Sequence, residues 1–306
     1  MGRYLLRRLA LTLPVLLGVA TLVFALIHLV PGDPAQAMLG ETASQQDVDR
    51  LRTSLGLDRP LLAQYGSFLR GVTRGDLGTS FRFGTPVTGE IRRRLPQTAI
   101  LAVSAMAFAI AFAIPLGIIA AVYRGRFPDH AAMTLALAGI SMPGFWLGPL
   151  LAIVFAVNLG WLPVSGSGTP AHLVLPAITL GAALAAILAR MTRASVIEEL
   201  RELYVMAARA RGLSRPRAIV RHAFRNSLIP VVTIVGLQFG AVLTGTIITE
   251  TIFSWPGVGR LLIQAINTRD YPLVQGCILF IATTYVAMNL LTDLAYGFLD
   301  PRIRFE

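Results

Sequence analysis

The 306-residue chain contains no lysine, and all 27 of its basic residues are arginine. That excludes a P-loop, a Schiff-base lysine and any lysine nucleophile. It contains one cysteine, Cys277, which excludes an intrachain disulfide and a metal site built on paired cysteines. Charged residues make up only 14%, where a soluble domain carries about 25%. A surface so short of charge cannot face water over most of its area. What fills the gap is apolar: 55% of the residues are hydrophobic and the mean hydropathy is +0.66.

A helix needs about 20 apolar residues to cross a bilayer core. Leu9–Val30 is one charge-free stretch and Ala99–Tyr123 is a second. No Asp, Glu or Arg occurs from Ala131 to Ala189, which is too long for one crossing. Gly160-Trp161-Leu162-Pro163 and the Gly/Ser/Pro run after it supply turn chemistry and an interfacial Trp in the middle. This region therefore reads as two spans, roughly 133–157 and 173–190. Ser227–Thr249 and Tyr271–Thr292 complete six. The expected fold class is an all-α integral membrane protein, with Pro115, Pro143 and Pro176 kinking their helices.

Arginine placement sets the expected orientation. With the N-terminus inside, the inner segments carry 16 Arg and the short outer ones carry 2, Arg260 and Arg269. Long loops translocate largely regardless of charge, so the first loop is discounted. Arg92-Arg93-Arg94 lies on the outer side and fits this pattern least well. The first span is too long for a cleaved leader and reads as a retained anchor. The chain then divides into an N-terminal tip and first span (1–30), an extracytoplasmic loop or small subdomain (31–94), a membrane core (95–297) and a cytoplasmic tail (298–306). Asp47–Arg52 predicts a short helix within the loop, and Gly75–Ser80 and Phe83–Pro86 predict turns.

The segment 190–226 carries nine Arg against Glu198, Glu199 and Glu202. Good helix formers run from Glu198 to Arg211. Gly212 can then supply a left-handed residue, Ser214 a cap, and Pro216 a first-turn position. A helix, a turn and a second helix leading into the fifth span follow. Two readings stay open on these residues alone: a basic loop held by anionic headgroups, or a docking element whose small Ala207, Ala208 and Gly212 admit a partner closely.

Ala207-Ala208-Arg209-Ala210-Arg211-Gly212-Leu213-Ser214, followed by Arg221-His222-Ala223-Phe224-Arg225-Asn226 and Ile229-Pro230, resembles the "EAA" cytoplasmic loop of bacterial ABC importer permeases. More narrowly, it is similar to the dipeptide/oligopeptide permease B family. Other matching pieces lie in order along the chain: Pro31-Gly32-Asp33-Pro34, Gly75–Ser80, Gly160–Pro163, Leu175-Pro176-Ala177, Glu250–Arg260, Arg269–Gly276 and Asp300–Arg304. Met206 stands where the general motif has Glu, so no glutamate is assigned that contact.

The resemblance implies a type I ABC importer transmembrane fold and a coupling helix at 204–212. Tyr204, Ala207, Ala208, Arg209, Arg211, Gly212, Leu213 and Ser214 would meet an ATPase, supported by Arg221, His222, Arg225, Asn226 and Pro230. It implies a second homologous permease subunit, two ATP-binding subunits (or one homodimer) and an extracytoplasmic solute-binding protein. ATP and Mg would sit on the partners, with no cofactor or metal on this chain and no catalytic residue. Membrane lipids are expected around it, and no nucleic acid. Peptides are the implied solute class, with nickel chelates, glutathione or another small solute as alternatives.

A peptide path needs hydrogen-bonding groups within the spans. Ser141, Pro143, Gln238, Thr246, Thr249 and Asn289 are the pore and gate candidates, with Thr244, Thr283 and Thr284 as further polar positions and Asp293 at the inner end of the sixth span. A secondary transporter or channel would need coupling carboxylates near midplane, and the spans hold almost none. A membrane enzyme would need a motif such as H-E-x-x-H or G-x-S-x-G, and neither occurs.

Overall fold

The computed structural model describes residues 2–29, 34–39, 44–54 and 56–299. The motif residues Pro31-Gly32-Asp33 and Asp300–Arg304 lie outside the described residues, as do the side chains of His28, Thr244 and Asp293. Among the described residues the chain is helical, and its one β-type contact is an isolated bridge between Thr79 and Pro86.

Among the described residues three helices are long and apolar enough to cross a membrane, Val87–Val122, Ala171–Glu199 and Tyr271–Thr292. The count rises to five if each of two bent helix pairs is one span, and a shorter apolar helix runs over Ala10–Ala25. The expected third span is one of the bent pairs. It breaks at Met142-Pro143, where the two halves meet at 108°. Pro143 is extended (φ −61°, ψ 140°) and Met142 likewise (φ −92°, ψ 112°), so the helix stops before the proline and a new one starts after it. Pro115 and Pro176, by contrast, sit within unbroken helices.

The chain forms two compact units. The first comprises the described residues up to Thr98 together with Pro256–Ala287. It holds α1 (Gly2–Leu29), α2 (Pro34–Leu39), α3 (Gln45–Ser54), α4 (Leu61–Thr73), the start of α5 (Val87–Val122), and, after the second unit, α12 (Val258–Asn267) and the start of α13 (Tyr271–Leu299). The helix expected at Asp47–Arg52 is α3. Phe68, Leu69 and Val72 of α4 pack on Ala20 and Val23 of α1 and on Leu279. Phe24 lies against Tyr65 and Phe68, with ring centroids 5.2 and 5.7 Å apart.

Asp270 is the polar centre of this unit. It is 1% exposed, and it accepts bonds from the Ser80 hydroxyl (2.5 Å), the Arg82 backbone N–H (3.0 Å) and the Leu273 N–H (3.3 Å). One carboxylate thus fixes the turn at 76–86 and caps α13. Two arginines of the Arg92-Arg93-Arg94 run are met locally. Arg93 and Arg94 both pair with Glu90, which is buried, and the Arg94 and Arg82 guanidinium groups lie over the Phe83 ring at 5.4 and 5.6 Å. Their charge is partly met within the unit.

The second unit comprises Ala99–Trp255 and the described residues from Met288. It holds the rest of α5, then α6 (Phe127–Ser141), α7 (Gly144–Leu151), a π-helical stretch at Ala152–Asn158, α8 (Ala171–Glu199), α9 (Leu203–Ala210), α10 (Arg215–Ala218), a second π-helical stretch at Ile219–Phe224, and α11 (Arg225–Ile252). Its core is a stripe of small residues: Ala102, Ala105, Ala109 and Ala113 of α5 against Ala185, Leu188 and Ala189 of α8 and Val231 and Val242 of α11. The spacing of three and four puts the α5 alanines on one helix face, and small residues let helix backbones approach closely in a membrane.

Gly181 marks a close approach of α8 to α5. A Cβ there would stand 2.6 Å from the Ala105 carbonyl oxygen and 2.9 Å from the Phe108 ring. Gly181→Ala is expected to lower thermal stability by about 1–3 kcal/mol through overpacking. Gly89→Ala meets nothing within 4 Å and should leave stability unchanged or raise it by up to about 1 kcal/mol. Thermal unfolding of the detergent-solubilised protein measures both, and equal midpoints for the two variants would contradict the close α5–α8 packing.

A buried ion pair ties α6 to α8. Arg193 Nε donates to Asp129 Oδ1 (2.6 Å) and Arg193 Nη2 to Asp129 Oδ2 (2.8 Å), while the Gly125 N–H also donates to Oδ2 (2.9 Å). Asp129 is 2% exposed. The two-pronged geometry is the strong form of an arginine–carboxylate contact.

Candidate functional site

Two regions of the second unit carry the functional candidates. The first is a cleft of about 410 Å³ between α8, α11 and the α6–α7 corner. The corner supplies Met142, Pro143, Gly144 and Phe145; Thr179, Leu180, Ala183 and Ile187 come from α8; Gln238, Ala241, Gly245 and Thr249 are among those from α11. Its walls are mainly apolar with a few hydrogen-bonding groups, as ligand clefts are. Of the sequence candidates, Pro143, Gln238 and Thr249 meet here. Ser141 and Asn289 do not line the cleft. Neither does Thr246, which is buried and donates its hydroxyl to the Leu243 carbonyl (2.7 Å), the backbone-bonding role open to a helical threonine. Thr283 and Thr284 also lie off it, and Thr284 bonds back to Phe280 O. Thr179 was missed by the sequence. It follows Leu175-Pro176-Ala177 by one helical turn, but it is a single threonine in an apolar run, and only the register of the whole α8 face singles it out.

The second region is the loop between α8 and α11. The sequence predicts unbroken helix from Glu198, but α8 ends at Glu199 and α9 starts anew at Leu203. Glu202 is extended (φ −66°, ψ 143°) at the N-terminal end of α9, where a carboxylate suits the helix dipole. Gly212 is left-handed, φ +88°, and the chain then enters α10 with the Ala218 N–H on the Ser214 carbonyl (3.0 Å). From Arg215 the helix runs on into α11. Between Pro216–Leu228 and Pro230–Leu243 it bends by 46°, where Pro230 removes one ladder bond.

The loop has its own small core: Val205, Ala218 and Ala223, with Leu200 and Leu213 against them. Leu213 is therefore turned inward, toward its own loop. Tyr204 is the polar tie. Its hydroxyl bonds the Glu199 carboxylate and accepts from Asn226 Nδ2 (2.9 Å), linking the end of α8, α9 and the start of α11. Burial, and then the Glu199 carboxylate, push the Tyr204 phenol up to about 12, so it stays a donor at any physiological pH. Glu199 is thus engaged within the loop.

With Val205 buried, the other face of α9 points outward. Ala207, Arg209 and Arg211 are exposed on or just beyond it, and so are Leu203 (77%) and Met206 (49%). Leu203, Met206, Ala207 and Ala210 share one face by spacing. Two large apolar side chains thus stand free on this eight-residue helix. Met206, a departure from the general motif in sequence, is thus an exposed apolar residue beside Leu203.

Residues 113–305 match the family described as binding-protein-dependent transport system inner membrane component, and residues 1–102 match the N-terminal part of such membrane components. The chain is 46% identical to the glutathione transport system permease protein GsiC of Pectobacterium atrosepticum, with 100% of both chains covered. The GsiC proteins of Salmonella typhimurium and Escherichia coli are 45% and 44% identical, again over the whole of both chains. Among solved structures, an inward-facing form of the MetNI methionine ABC transporter aligns with a TM-score of 0.57 at 15% identity, covering 69% of this chain and 96% of that one. An amino acid ABC transporter aligns with a TM-score of 0.53 at 17% identity, covering 71% and 95%. These two establish the fold, the type I importer permease architecture that the EAA-like loop implies. The permease role brings with it a membrane location, ATP hydrolysis on a separate subunit, and ATPase and solute-binding partners. The chain belongs to the family of binding-protein-dependent transport system inner membrane components, as a permease subunit of an ABC importer.

Proposed function

We propose that this chain forms half of the translocation path of an ATP-driven importer of short peptides, with glutathione the first cargo to test. The observation that carries the cargo is the match over all 306 residues, at 44–46% identity, to permeases named for glutathione transport. The cleft of α8, α11 and the Pro143 corner is the solute path on this side, and a second permease subunit closes over it. Its few polar groups are the Gln238 amide and the hydroxyls of Thr179 and Thr249, which donate to the Leu175 and Gly245 carbonyls and can only accept from a cargo, so that cargo is held weakly enough to leave. The exposed face of α9 seats on an ATPase, with two such ATPases in the assembly carrying ATP and Mg. N- and C-termini lie in the cytoplasm, a placement that the arginine distribution supports.

Energy enters by differential binding: ATP favours one conformation of the ATPase pair, and α9, tied by Tyr204 to α8 and α11, hands that preference to the two helices that line the cleft. The test is uptake of radiolabelled glutathione by vesicles holding both permeases, the ATPases and the binding protein. Accumulation that requires ATP and the binding protein is expected. Uptake without nucleotide, or no uptake of glutathione with ATP hydrolysis intact, would overturn the proposal.

A further inference from the structure

The cleft continues. A second one, of about 470 Å³, is lined by Met133, Ile187, Arg190, Met191, Arg193, Ala194 and Ile234. Ile187 lines both. The positions follow one register on each helix. On α8 they run 180, 183, 187, 190, 194, and on α11 they run 249, 245, 241, 238, 234, all steps of three, four or close to it. The antiparallel pair therefore presents one groove, extending from Thr179 to Ala194 over about 22 Å at 1.5 Å per residue. Thr179 and Thr249 stand at one end and two arginines at the other.

The arginines differ. Arg193 spends its guanidinium on both oxygens of Asp129. Arg190 is exposed and has no carboxylate partner among the described residues. No acidic residue lines either part of the groove. Arg190, at the inner end of the fourth span, lines the second cavity, and apolar walls strengthen the field of a cation beside them.

We infer that Arg190 is a specificity residue, which receives a carboxylate of an anionic peptide at the inner end of the groove. This rests on the groove being the peptide path proposed above. The planar fork of arginine suits a carboxylate in a way that a lysine ammonium does not. A peptide with a second carboxylate gains more from Arg190 than one whose carboxylate is masked. The exit end is thereby made attractive to anionic cargo that the rest of the groove holds only through hydroxyl and amide groups.

The experiment uses the full assembly in vesicles, comparing ATP-driven uptake of glutathione with that of its glycyl ethyl ester. Wild type should prefer glutathione by about tenfold. Arg190→Gln should bring the two rates within about twofold, chiefly by slowing glutathione, and Arg190→Lys should restore part of the preference. An unchanged preference in Arg190→Gln overturns the inference, and so does equal slowing of both cargoes, which would make Arg190 structural. A loss seen in vesicles with phosphatidylglycerol and absent in pure phosphatidylcholine would assign Arg190 to a lipid headgroup, and also overturns it. A wild-type assembly that hydrolyses ATP yet imports neither compound defeats the peptide reading itself. That outcome is distinct from a variant matching an active wild type.

Discussion

Replacing Gly212 by leucine should reduce ATP-driven uptake at least a hundredfold, with the permease still inserted. Gly212 holds φ +88°, a conformation that costs an L-residue about 1–2 kcal/mol. That strain alone loosens the turn between α9 and α10. The larger effect is steric. A Cβ at Gly212 would meet nothing within 4 Å in this chain, so under the docking proposed above the added bulk acts against a partner seated on α9. Gly212→Asn separates the two causes, because asparagine tolerates the left-handed region but still carries bulk. The asparagine variant should lose at least tenfold in uptake. Normal uptake in Gly212→Asn would show that only backbone geometry matters, and uptake within twofold of wild type in Gly212→Leu would end the docking account of α9. Co-purification of the ATPases with each variant gives the second readout.

Asp129→Ala should be the most destabilising single change in the second unit, by about 3 kcal/mol. Removing one partner of a buried pair costs ~3–5 kcal/mol because the other charge is left uncompensated, and Arg193, with 28% of its side chain exposed, can recover some hydration, which places the cost at the low end. The double variant Asp129→Leu/Arg193→Met removes the charge altogether and should regain most of the loss, since apolar replacement of such pairs is often neutral. Thermal unfolding measures both. A double variant as unstable as Asp129→Ala would mean that the pair itself, rather than the stranded arginine, carries the stability. In an importer the single variant also releases α6 from α8, so uptake should fall further than the remaining folded fraction explains.

Much of this architecture was legible before any coordinates. Apolar run length gave the helices, because a bilayer leaves the backbone no alternative to internal hydrogen bonds. Gly212 gave the turn, because few other residues accept its backbone angles. The Ala/Arg/Gly run of the loop gave the family. Run length could not give the break at Met142-Pro143. Pro149, Pro176 and Pro230 all lie within helices, so a proline by itself does not distinguish a tolerated kink from a stop. The groove was harder still. Pore candidates were sought by polarity, whereas the groove is defined by register, and most of its lining is Ala, Leu and Ile. Arg190 was read only as inner-side charge, because pairing by Asp129, 64 residues from Arg193, is what leaves Arg190 as the unspent one.

The Ser80–Asp270 bond joins residues 190 positions apart, and this bears on how the chain is made. The turn that Ser80 anchors is synthesised early, but its anchor leaves the ribosome about 10–40 s later at 5–20 residues per second. Until then the Gly75–Pro86 segment has no carboxylate to close on, and α4 lacks Leu279 to pack against. Nascent first-unit structure must wait on nearly the last fifth of the polypeptide, so a ribosome stalled before Asp270 should leave Ser80 and its neighbours open to protease.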